Sequence, residues 1–225
     1  MAIHRDLQGL FHRHLVPGGF AIFPVNQHLL VHIPFLYTLG SVPSLLRSGF
    51  LFITTIAVAA ATPTNLWKVD SKVWRSAQPS SADCAELEKC GIVEVLSLRE
   101  WHDDAGAAKG TSLRLEHVPM NAGHIPHADL VRAVGVLKDA PGPVLVHCWH
   151  GSDRTGTVVA LYRMAVQGWP KDQAIAEFTD PRFGYHSKTY PNLRRYLETV
   201  DVSAVRVALG VTPPKAITGG WAHRS

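Results

Sequence analysis

An apolar strand that leads through a glycine-containing turn into a helix is the feature that most constrains how this chain can fold. It occupies residues 143–164, which read PVLVHCWHGSDRTGTVVALYRM. The first five residues are an apolar, β-branched run, and the stretch after Thr155 is helix-like. One cysteine, Cys148, stands where the strand ends, and Arg154 follows six residues later. The segment therefore predicts a strand–loop–helix unit with a thiol in its loop.

Strands and helices alternate along the chain from residue 66 onward. The patterns predict strands at 73–77, 92–98, 113–119 and 143–147. They predict helices at 82–90, around 130–137, and at 155–167, 171–178 and 189–200. Such alternation favours one α/β domain, with a mainly parallel central sheet flanked by helices. In sheets of this kind, ligands bind beyond the carboxyl ends of the strands.

Charge and cysteine content exclude several classes of partner. The formal net charge is +4 and the isoelectric point is about 9.1, but the basic residues form no run of five or more. The chain therefore lacks the basic patches that are typical of nucleic-acid-binding or membrane-surface proteins. Its three cysteines, Cys84, Cys90 and Cys148, show neither paired metal spacing nor the density of a disulfide scaffold. We expect no nucleic-acid partner and no metal centre.

The loop that holds Cys148 has the features of a phosphate-binding loop. We expect residues 149–153 to form a tight turn, in which Gly151 permits an unusual backbone angle, and Thr155 to begin the helix. Backbone N–H groups in such a turn form a nest for an oxyanion, and the helix N-terminus adds positive potential. The same environment favours the thiolate form of Cys148. Arg154 can hold two phosphate oxygens with its planar fork of donors.

The segment HCWHGSDRTG resembles the signature C-x-x-G-x-x-R-[ST]-G of the cysteine-dependent protein tyrosine and dual-specificity phosphatases. The segments VWRSAQPS, VLSLREWHDD and ALYRMAVQGWPKDQAIAEF also resemble parts of the small bacterial dual-specificity phosphatases, so the similarity covers about residues 66–200. The resemblance implies a phosphatase that needs no metal or other cofactor. Its substrate would be a phosphorylated protein or a small phosphate ester, with phosphotyrosine first and phosphoserine or phosphothreonine in addition.

The resemblance also assigns roles to the residues of the loop. Cys148 would attack phosphorus to form a phosphocysteine that water then hydrolyses, while Arg154 and the loop amides stabilise the transferring phosphoryl group. Thr155 would donate a hydrogen bond to the cysteine sulfur, and His147 would orient the loop. The residues expected to bind the substrate are Trp149, His150, Gly151, Ser152 and Thr155. The segment 182–192 could add an aromatic and basic wall.

The general acid is the point at which this sequence departs from the family pattern. Most relatives carry an aspartate on the loop after the strand that corresponds to LEHVP, but residues 120–129 read MNAGHIPHAD, with Gly123 or His124 in its place. Asp153 is the first candidate, because myotubularin-type phosphatases place an aspartate at the same point of their loop. The remaining candidates are Asp129 and His124, and after them Asp103 and Asp104.

Three functions therefore stay open at the level of sequence. The first is a protein phosphatase as described above. The second is a phosphatase of phosphoinositides or inositol phosphates, which the loop aspartate and His150 favour, although the loop contains no lysine. The third is a pseudophosphatase that binds phosphate groups without turnover, which the missing acid near Gly123 favours and the intact pair of Cys148 and Arg154 opposes.

The composition changes near residue 65. The first 65 residues carry only four charged side chains, Arg5, Asp6, Arg13 and Arg47. We interpret residues 1–65 as an N-terminal extension, residues 66–202 as the phosphatase domain and residues 203–225 as a C-terminal tail.

The extension contains a segment, residues 45–62, that resembles a secretory signal peptide. Arg47 precedes an apolar run from Gly49 to Ala61, and Ala59 and Ala61 give the small-x-small cleavage pattern. The run has 13 residues, whereas a spanning helix needs about 20, so we expect no stable membrane anchor. The segment predicts export to the periplasm, with translation starting near Val42 or Leu45. The alternative is a helix packed on the domain of a cytoplasmic protein.

Overall fold

The computed structural model describes residues 62–212, which contain five strands and six α-helices. The strands are β1 (Trp67–Lys68), β2 (Val73–Ser76), β3 (Glu94–Ser97), β4 (Arg114–His117) and β5 (Val144–His147). The helices are α1 (Ser81–Lys89), α2 (His127–Asp139), α3 (Asp153–Ala165), α4 (Lys171–Thr179), α5 (Pro191–Thr199) and α6 (Val202–Ala208), with a 3₁₀ turn at Pro181–Phe183.

The strands form one sheet in the order β1-β2-β5-β3-β4. The pair β1–β2 is antiparallel, and the pairs β2–β5, β5–β3 and β3–β4 are parallel. The prediction of an α/β domain with a mainly parallel central sheet is therefore confirmed. In this register His147, the last residue of β5, lies between Ser76 of β2 and Ser97 of β3. The carboxyl ends of the parallel strands consequently meet at one edge of the sheet.

The central strand β5 is buried on both faces of the sheet. Val144 and Val146 belong to a large core cluster with residues of α2 to α6, whereas Leu145 packs in a smaller cluster with Leu87 of α1. A strand that is covered by helices on both faces needs an unbroken apolar run, which the sequence supplies here. The strand is thus a fixed support for the loop that follows it.

The helix α1 begins with a capping box. The Ser80 hydroxyl accepts a hydrogen bond from the Asp83 backbone N–H, and the Asp83 carboxylate accepts one from the Ser80 N–H. These two bonds satisfy backbone donors that a helix N-terminus otherwise leaves free. The local sequence therefore determines where this helix starts.

The helix α6 crosses the boundary at 202 that the sequence suggested for the end of the domain. Val205 and Leu209 lie in the large core cluster, and the Arg206 guanidinium donates to the carbonyls of Met164 and Ala165 at the end of α3. Residues 203–208, which we expected in the tail, therefore pack on the domain. The helix has only seven residues, and so short a helix depends on packing more than on its own sequence pattern.

The signal-like segment at 45–62 lies outside the described residues except for its last position, as does the rest of the extension before it. Residues 213–225 also lie outside them. Among residues 62–212, no helix is both long enough and apolar enough to cross a membrane.

Candidate active site

A five-residue loop, Cys148–Ser152, connects β5 to α3 at the carboxyl edge of the sheet. Gly151 has a φ of +71°, and a Cβ atom there would lie 2.4 Å from the backbone carbonyl of Ser76. Both the left-handed backbone and the close approach of β2 require glycine at this position. The helix begins at Asp153, with Ser152 as its N-cap, so it starts two residues before the predicted start at Thr155.

A cavity of about 390 Å³ opens above the 148–152 loop. Cys148 lines it although this residue is only 1% exposed, which places the thiol at the buried end of the cavity. The loop and the start of α3 contribute Cys148, Trp149, His150, Asp153 and Arg154. Other segments contribute Arg99, Glu100, Trp101, Ala122, His186, Thr189 and Tyr190. The cavity thus lies where parallel sheets bind their ligands.

Three of the eight residues predicted for the site do not line this cavity. Gly151, Ser152 and Thr155 are buried beneath it. The hydroxyl Oγ1 of Thr155 has no hydrogen-bond partner among the described residues. The expected hydrogen bond from Thr155 to the Cys148 sulfur is therefore not formed in this structure, although the Thr155 side chain is buried at the start of α3.

Arg154 is held by carbonyl oxygens at the ends of two neighbouring strands. Its Nη1 donates to the carbonyl of Met120 at 3.1 Å and to that of Leu98 at 3.4 Å. Within residues 62–212, its Nε and Nη2 atoms have no such acceptor, so both remain able to bind an anion in the cavity. A guanidinium that is anchored through one nitrogen can present its other two donors to phosphate oxygens.

A second arginine supports the loop from below. Arg75 is buried in β2, and its Nη2 donates to the carbonyl of Gly151 at 2.7 Å. Its guanidinium carbon lies 4.2 Å from the centre of the Phe183 ring. Burial lowers the pKa of Arg75 to about 10, which still leaves it charged at neutral pH. Sequence reasoning missed this residue, although a lone arginine in a strand of otherwise buried character was a signal.

A buried hydrogen-bonded pair, His147 and Asp104, holds the start of the loop. The His147 Nε2 lies 2.6 Å from the Asp104 Oδ2, and neither side chain is more than 2% exposed. Burial opposes ionisation of Asp104, but the hydrogen bonds from His147 and Gln78 outweigh it, so the pKa of this carboxyl is lowered. The pair fixes the imidazole orientation next to Cys148.

Four of the five predicted general-acid candidates lie away from the cavity. The buried Asp104 carboxylate is hydrogen-bonded to His147. Asp103 is an exposed turn residue whose carboxylate accepts a hydrogen bond from the Ala105 N–H. His124 lines a separate cavity of about 140 Å³, and Asp129 sits in the first turn of α2 beside Arg132. The loop of residues 120–126, which usually supplies the acid, contributes only Ala122 to the described lining.

Two carboxylates do line the described cavity, Asp153 and Glu100. Asp153 is 5% exposed, and its two oxygens contact the backbone N–H and the Nδ1 of His186, both at 2.9 Å. Glu100 follows β3 and accepts a hydrogen bond from the Asn121 side chain at 3.1 Å. Glu100 was not among the predicted candidates. The contact with His186 places the segment 182–192 at the cavity wall, as the sequence suggested.

The rim of the cavity is aromatic and basic. Trp149 is 53% exposed, and the Arg99 guanidinium carbon lies 4.1 Å from the centre of its ring. Trp101 and Tyr190 also line the cavity. A rim of this kind can contact an aromatic ring whose phosphate reaches Cys148, because such a ring stacks well on tryptophan and arginine.

Comparison with known proteins identifies relatives of this site and fold. Residues 60–208 match the family model described as tyrosine phosphatase family. The chain is 31% identical over 155 residues to the dual specificity protein phosphatase TpbA of Pseudomonas aeruginosa, a match that covers 68% of this chain and 70% of TpbA. The inositol diphosphatase DSP1 of Oryza sativa is 29% identical over 153 residues, 64% of this chain and 67% of DSP1.

Solved structures agree with the fold. The crystal structure of TpbA superposes with a TM-score of 0.60 over 65% of this chain and 91% of that chain, at 31% identity. A second structure shows a cysteine-to-serine variant of TpbA in complex with pTyr. The catalytic core of the PP-IP phosphatase Siw14 from S. cerevisiae superposes with a TM-score of 0.59 over 68% of this chain and 94% of that chain; at 22% identity, it shows the shared fold alone.

Proposed function

We propose, since the chain belongs to the tyrosine phosphatase family, that this phosphatase hydrolyses phosphotyrosine, phosphoserine and phosphothreonine through a phosphocysteine intermediate. The observation that carries the proposal is the position of Cys148 at the buried end of a cavity whose wall contains the anchored Arg154. Nucleophile and anion clamp then face the same phosphate group.

The reaction divides into two displacements at phosphorus. The Cys148 thiolate attacks phosphorus, the S–P bond forms, and the P–O bond to the alcohol or phenol breaks while the leaving oxygen takes up a proton. Water then attacks phosphorus and gives a proton to the group that donated one in the first step, the S–P bond breaks, and inorganic phosphate and the Cys148 thiolate are released. In both steps the free Arg154 donors and the loop amides stabilise the charge on the equatorial oxygens.

Asp153 is the group that we assign as the proton donor of the first step. It lines the cavity next to Arg154 and close to Cys148, where a leaving-group oxygen would lie. Glu100 is the second candidate, because it is the other carboxylate of the described cavity wall.

The aromatic rim supports phosphotyrosine as the first substrate. A phosphotyrosine side chain is long enough to place its phosphate at a buried nucleophile while its ring contacts groups such as Trp149 and Tyr190. The relative TpbA, which binds pTyr in its crystal structure, agrees with this choice.

An inositol phosphate is the second candidate substrate. Besides Arg154, the cavity wall carries Arg99, His150 and His186, and a polyanionic ring could use more of these groups than a single phosphate can. The inositol diphosphatase DSP1 is one of the relatives that agree with this alternative.

The test is turnover by the full chain of three substrates in parallel: a phosphotyrosine peptide, a phosphoserine peptide and an inositol phosphate. We expect the highest kcat/KM with the phosphotyrosine peptide, and an acid-quenched sample should carry one phosphoryl group on the Cys148 peptide by mass spectrometry. Preference for the inositol phosphate would transfer the proposal to the second candidate. Binding of all three without turnover would indicate a pseudophosphatase.

We further propose that the chain is exported to the periplasm, on the basis of the signal-like segment at 45–62. The small residues Ala59 and Ala61 place the expected cleavage just before Thr62. N-terminal sequencing of the protein from its native host tests this proposal. A cytoplasmic protein that retains residues 1–40 would contradict it.

A further inference from the structure

Two histidines and an aspartate meet at the wall of the catalytic cavity. His150, Asp153 and His186 each offer one ligand atom, and these three atoms all lie within 4.8 Å of one another. The His186 Nδ1 and the Asp153 Oδ2 are 2.9 Å apart, and the two imidazole centres are 5.3 Å apart. Ligand atoms at about 2.1 Å from a tetrahedral ion are separated by about 3.4 Å. Small side-chain rotations would therefore bring the three atoms around one ion.

The structure holds the carboxylate while leaving the histidines free to adjust. Asp153 is buried at the first turn of α3, and its Oδ1 accepts the backbone N–H of His186. Such an outer hydrogen bond orients a ligating carboxylate. His150 and His186 are both exposed to solvent, so they can rotate and an ion can enter from the cavity.

The charges around the cluster do not oppose a cation. Among the charged side chains of the described cavity wall, Arg99 and Arg154 are balanced by Glu100 and Asp153. An ion that displaces the proton of Asp153 meets no net positive charge from these four groups, because it then binds an ionised carboxylate directly.

We propose that His150, Asp153 and His186 form an inhibitory binding site for a divalent transition-metal ion of the Zn²⁺ class. Two imidazoles and one carboxylate suit Zn²⁺, Co²⁺ or Ni²⁺, whereas Mg²⁺ and Ca²⁺ prefer sets of oxygen ligands. The inhibitory part rests on the proposed function, because a carboxylate that ligates a dication cannot carry the proton required by the leaving group. Asp153 would thus be switched between acid and metal ligand.

A binding experiment on the full chain tests the site without relying on turnover. Zn²⁺ is titrated calorimetrically into the wild-type chain and into His150→Ala, His186→Ala, Cys148→Ser and His124→Ala. We expect the wild-type chain to bind one equivalent of Zn²⁺ at the cluster. His150→Ala and His186→Ala should each raise the Kd of this equivalent at least about 10-fold, since loss of even an outer-shell partner of a metal site has that effect. Cys148→Ser and His124→Ala should retain it, because Cys148 is not in the cluster and His124 lies in the other cavity.

The controls separate this site from other sources of metal binding. The histidines of the first 61 residues are unchanged in every variant, so differences between variants report on the cluster alone. Co²⁺ bound at the site should show no intense sulfur-to-metal absorption band. The proposal would be overturned if His150→Ala and His186→Ala both bound the Zn²⁺ equivalent with wild-type affinity, or if Cys148→Ser no longer bound it.

Inhibition is measured separately from binding. Zn²⁺ should inhibit the wild-type phosphatase reversibly, with recovery on addition of a chelator. The inhibition constant of Zn²⁺ for His186→Ala, with activity expressed as a fraction of the metal-free rate of that variant, should be at least about 10-fold higher than for the wild type. Zinc bound at the cluster without inhibition of an active enzyme would overturn the inhibitory role. If no substrate is turned over, the proposed function fails, while the binding result still decides whether the metal site exists.

Discussion

The two loops that face each other across the cavity are held in different ways. The 148–152 loop is tied to buried groups: Arg75 binds the Gly151 carbonyl, and the pair of Asp104 and His147 fixes the residue before Cys148. The 120–126 loop is mostly exposed. Hydrogen bonds tie it to the rest of the domain through the Met120 carbonyl, the Asn121 side chain and the Ala122 carbonyl, and all of these bonds are exposed or only part-buried.

The difference separates two tasks of the enzyme. Capture of phosphate and attack on phosphorus need groups that are already in place, since electrostatic stabilisation is strongest when donors do not have to reorganise. The buried supports of the 148–152 loop provide this. The proton donor, in contrast, can be carried by different segments of the cavity wall. The 120–126 loop can therefore lack a carboxylate as long as another residue of the wall supplies the proton.

The largest effect is expected for Cys148→Ser. A serine hydroxyl is not ionised at neutral pH, so turnover should fall below detection while the supported loop still binds vanadate or phosphate. Steady-state assays and calorimetric titration with vanadate measure the two properties. Cys90→Ser, which changes an exposed thiol at the end of α1, should leave both unchanged. Turnover retained in Cys148→Ser would mean that the supported loop does not carry the nucleophile.

Asp153→Asn should give the next largest effect. A general acid contributes typically about 10²- to 10⁴-fold, so hydrolysis of alkyl phosphates should slow by that factor. Activated aryl phosphates, which leave without a proton, should be much less affected. The alkaline limb of the pH–rate profile should also disappear, because that limb reports loss of the proton of the acid.

Glu100→Gln is the matched control for this variant, since it changes the other carboxylate of the described cavity wall. If the dependence on the leaving group appears in Glu100→Gln instead, the proton comes from the β3 side of the cavity. If Asp153→Asn slows all substrates equally, the contact of Asp153 with His186 positions the wall and the donor must be sought elsewhere. His124→Ala and Asp129→Asn should leave the leaving-group dependence unchanged.

Arg154→Lys should reduce both binding and turnover, by about 10²- to 10³-fold in kcat, the range measured when one stabilising donor is removed from such a site. Lysine keeps the charge but cannot hold two phosphate oxygens while bonding to Met120 and Leu98. Arg99→Lys at the rim is the matched control and should affect KM more than kcat. Near wild-type kinetics in Arg154→Lys would show that the supported loop does not depend on a bidentate clamp.

The sequence predicts the elements of the fold and the position of the loop because these depend on local patterns. The apolar run of β5 and the capping box at Ser80 are each contained in a few consecutive residues. The helix α6 was missed because its seven residues are too few for a clear helical pattern, although the Asp201 carboxylate caps it by accepting from the Ser203 and Ala204 backbone N–H groups.

The supports of the site could not be predicted because they join distant parts of the chain. Arg75 reaches Gly151 across 76 positions, Asp104 reaches His147 across 43, and Asp153 meets His186 across 33. The first two pairs depend on which strand ends become neighbours in the sheet, and the third depends on how the segment after the 3₁₀ turn packs against the start of α3. No local pattern records either arrangement. The same holds for Glu100, which lines the cavity only because β3 lies next to β5.

Asp104→Asn should have the smallest effect on the chemistry and a measurable one on stability. Loss of the carboxylate leaves the buried His147 with a weaker partner, which costs about 1–3 kcal/mol in the free energy of unfolding at pH 7. Because the folded pKa of Asp104 is lowered, its contribution is present above the unfolded pKa of about 3.9 and is lost as pH falls through the folded value. Urea unfolding at pH 7 and pH 3 should therefore show a difference between wild type and Asp104→Asn that shrinks at the lower pH. The neighbouring Asp103→Asn, at an exposed turn, should change stability at neither pH. A difference that persists unchanged at pH 3 would show that the aspartate supports the loop by its shape and not by its charge.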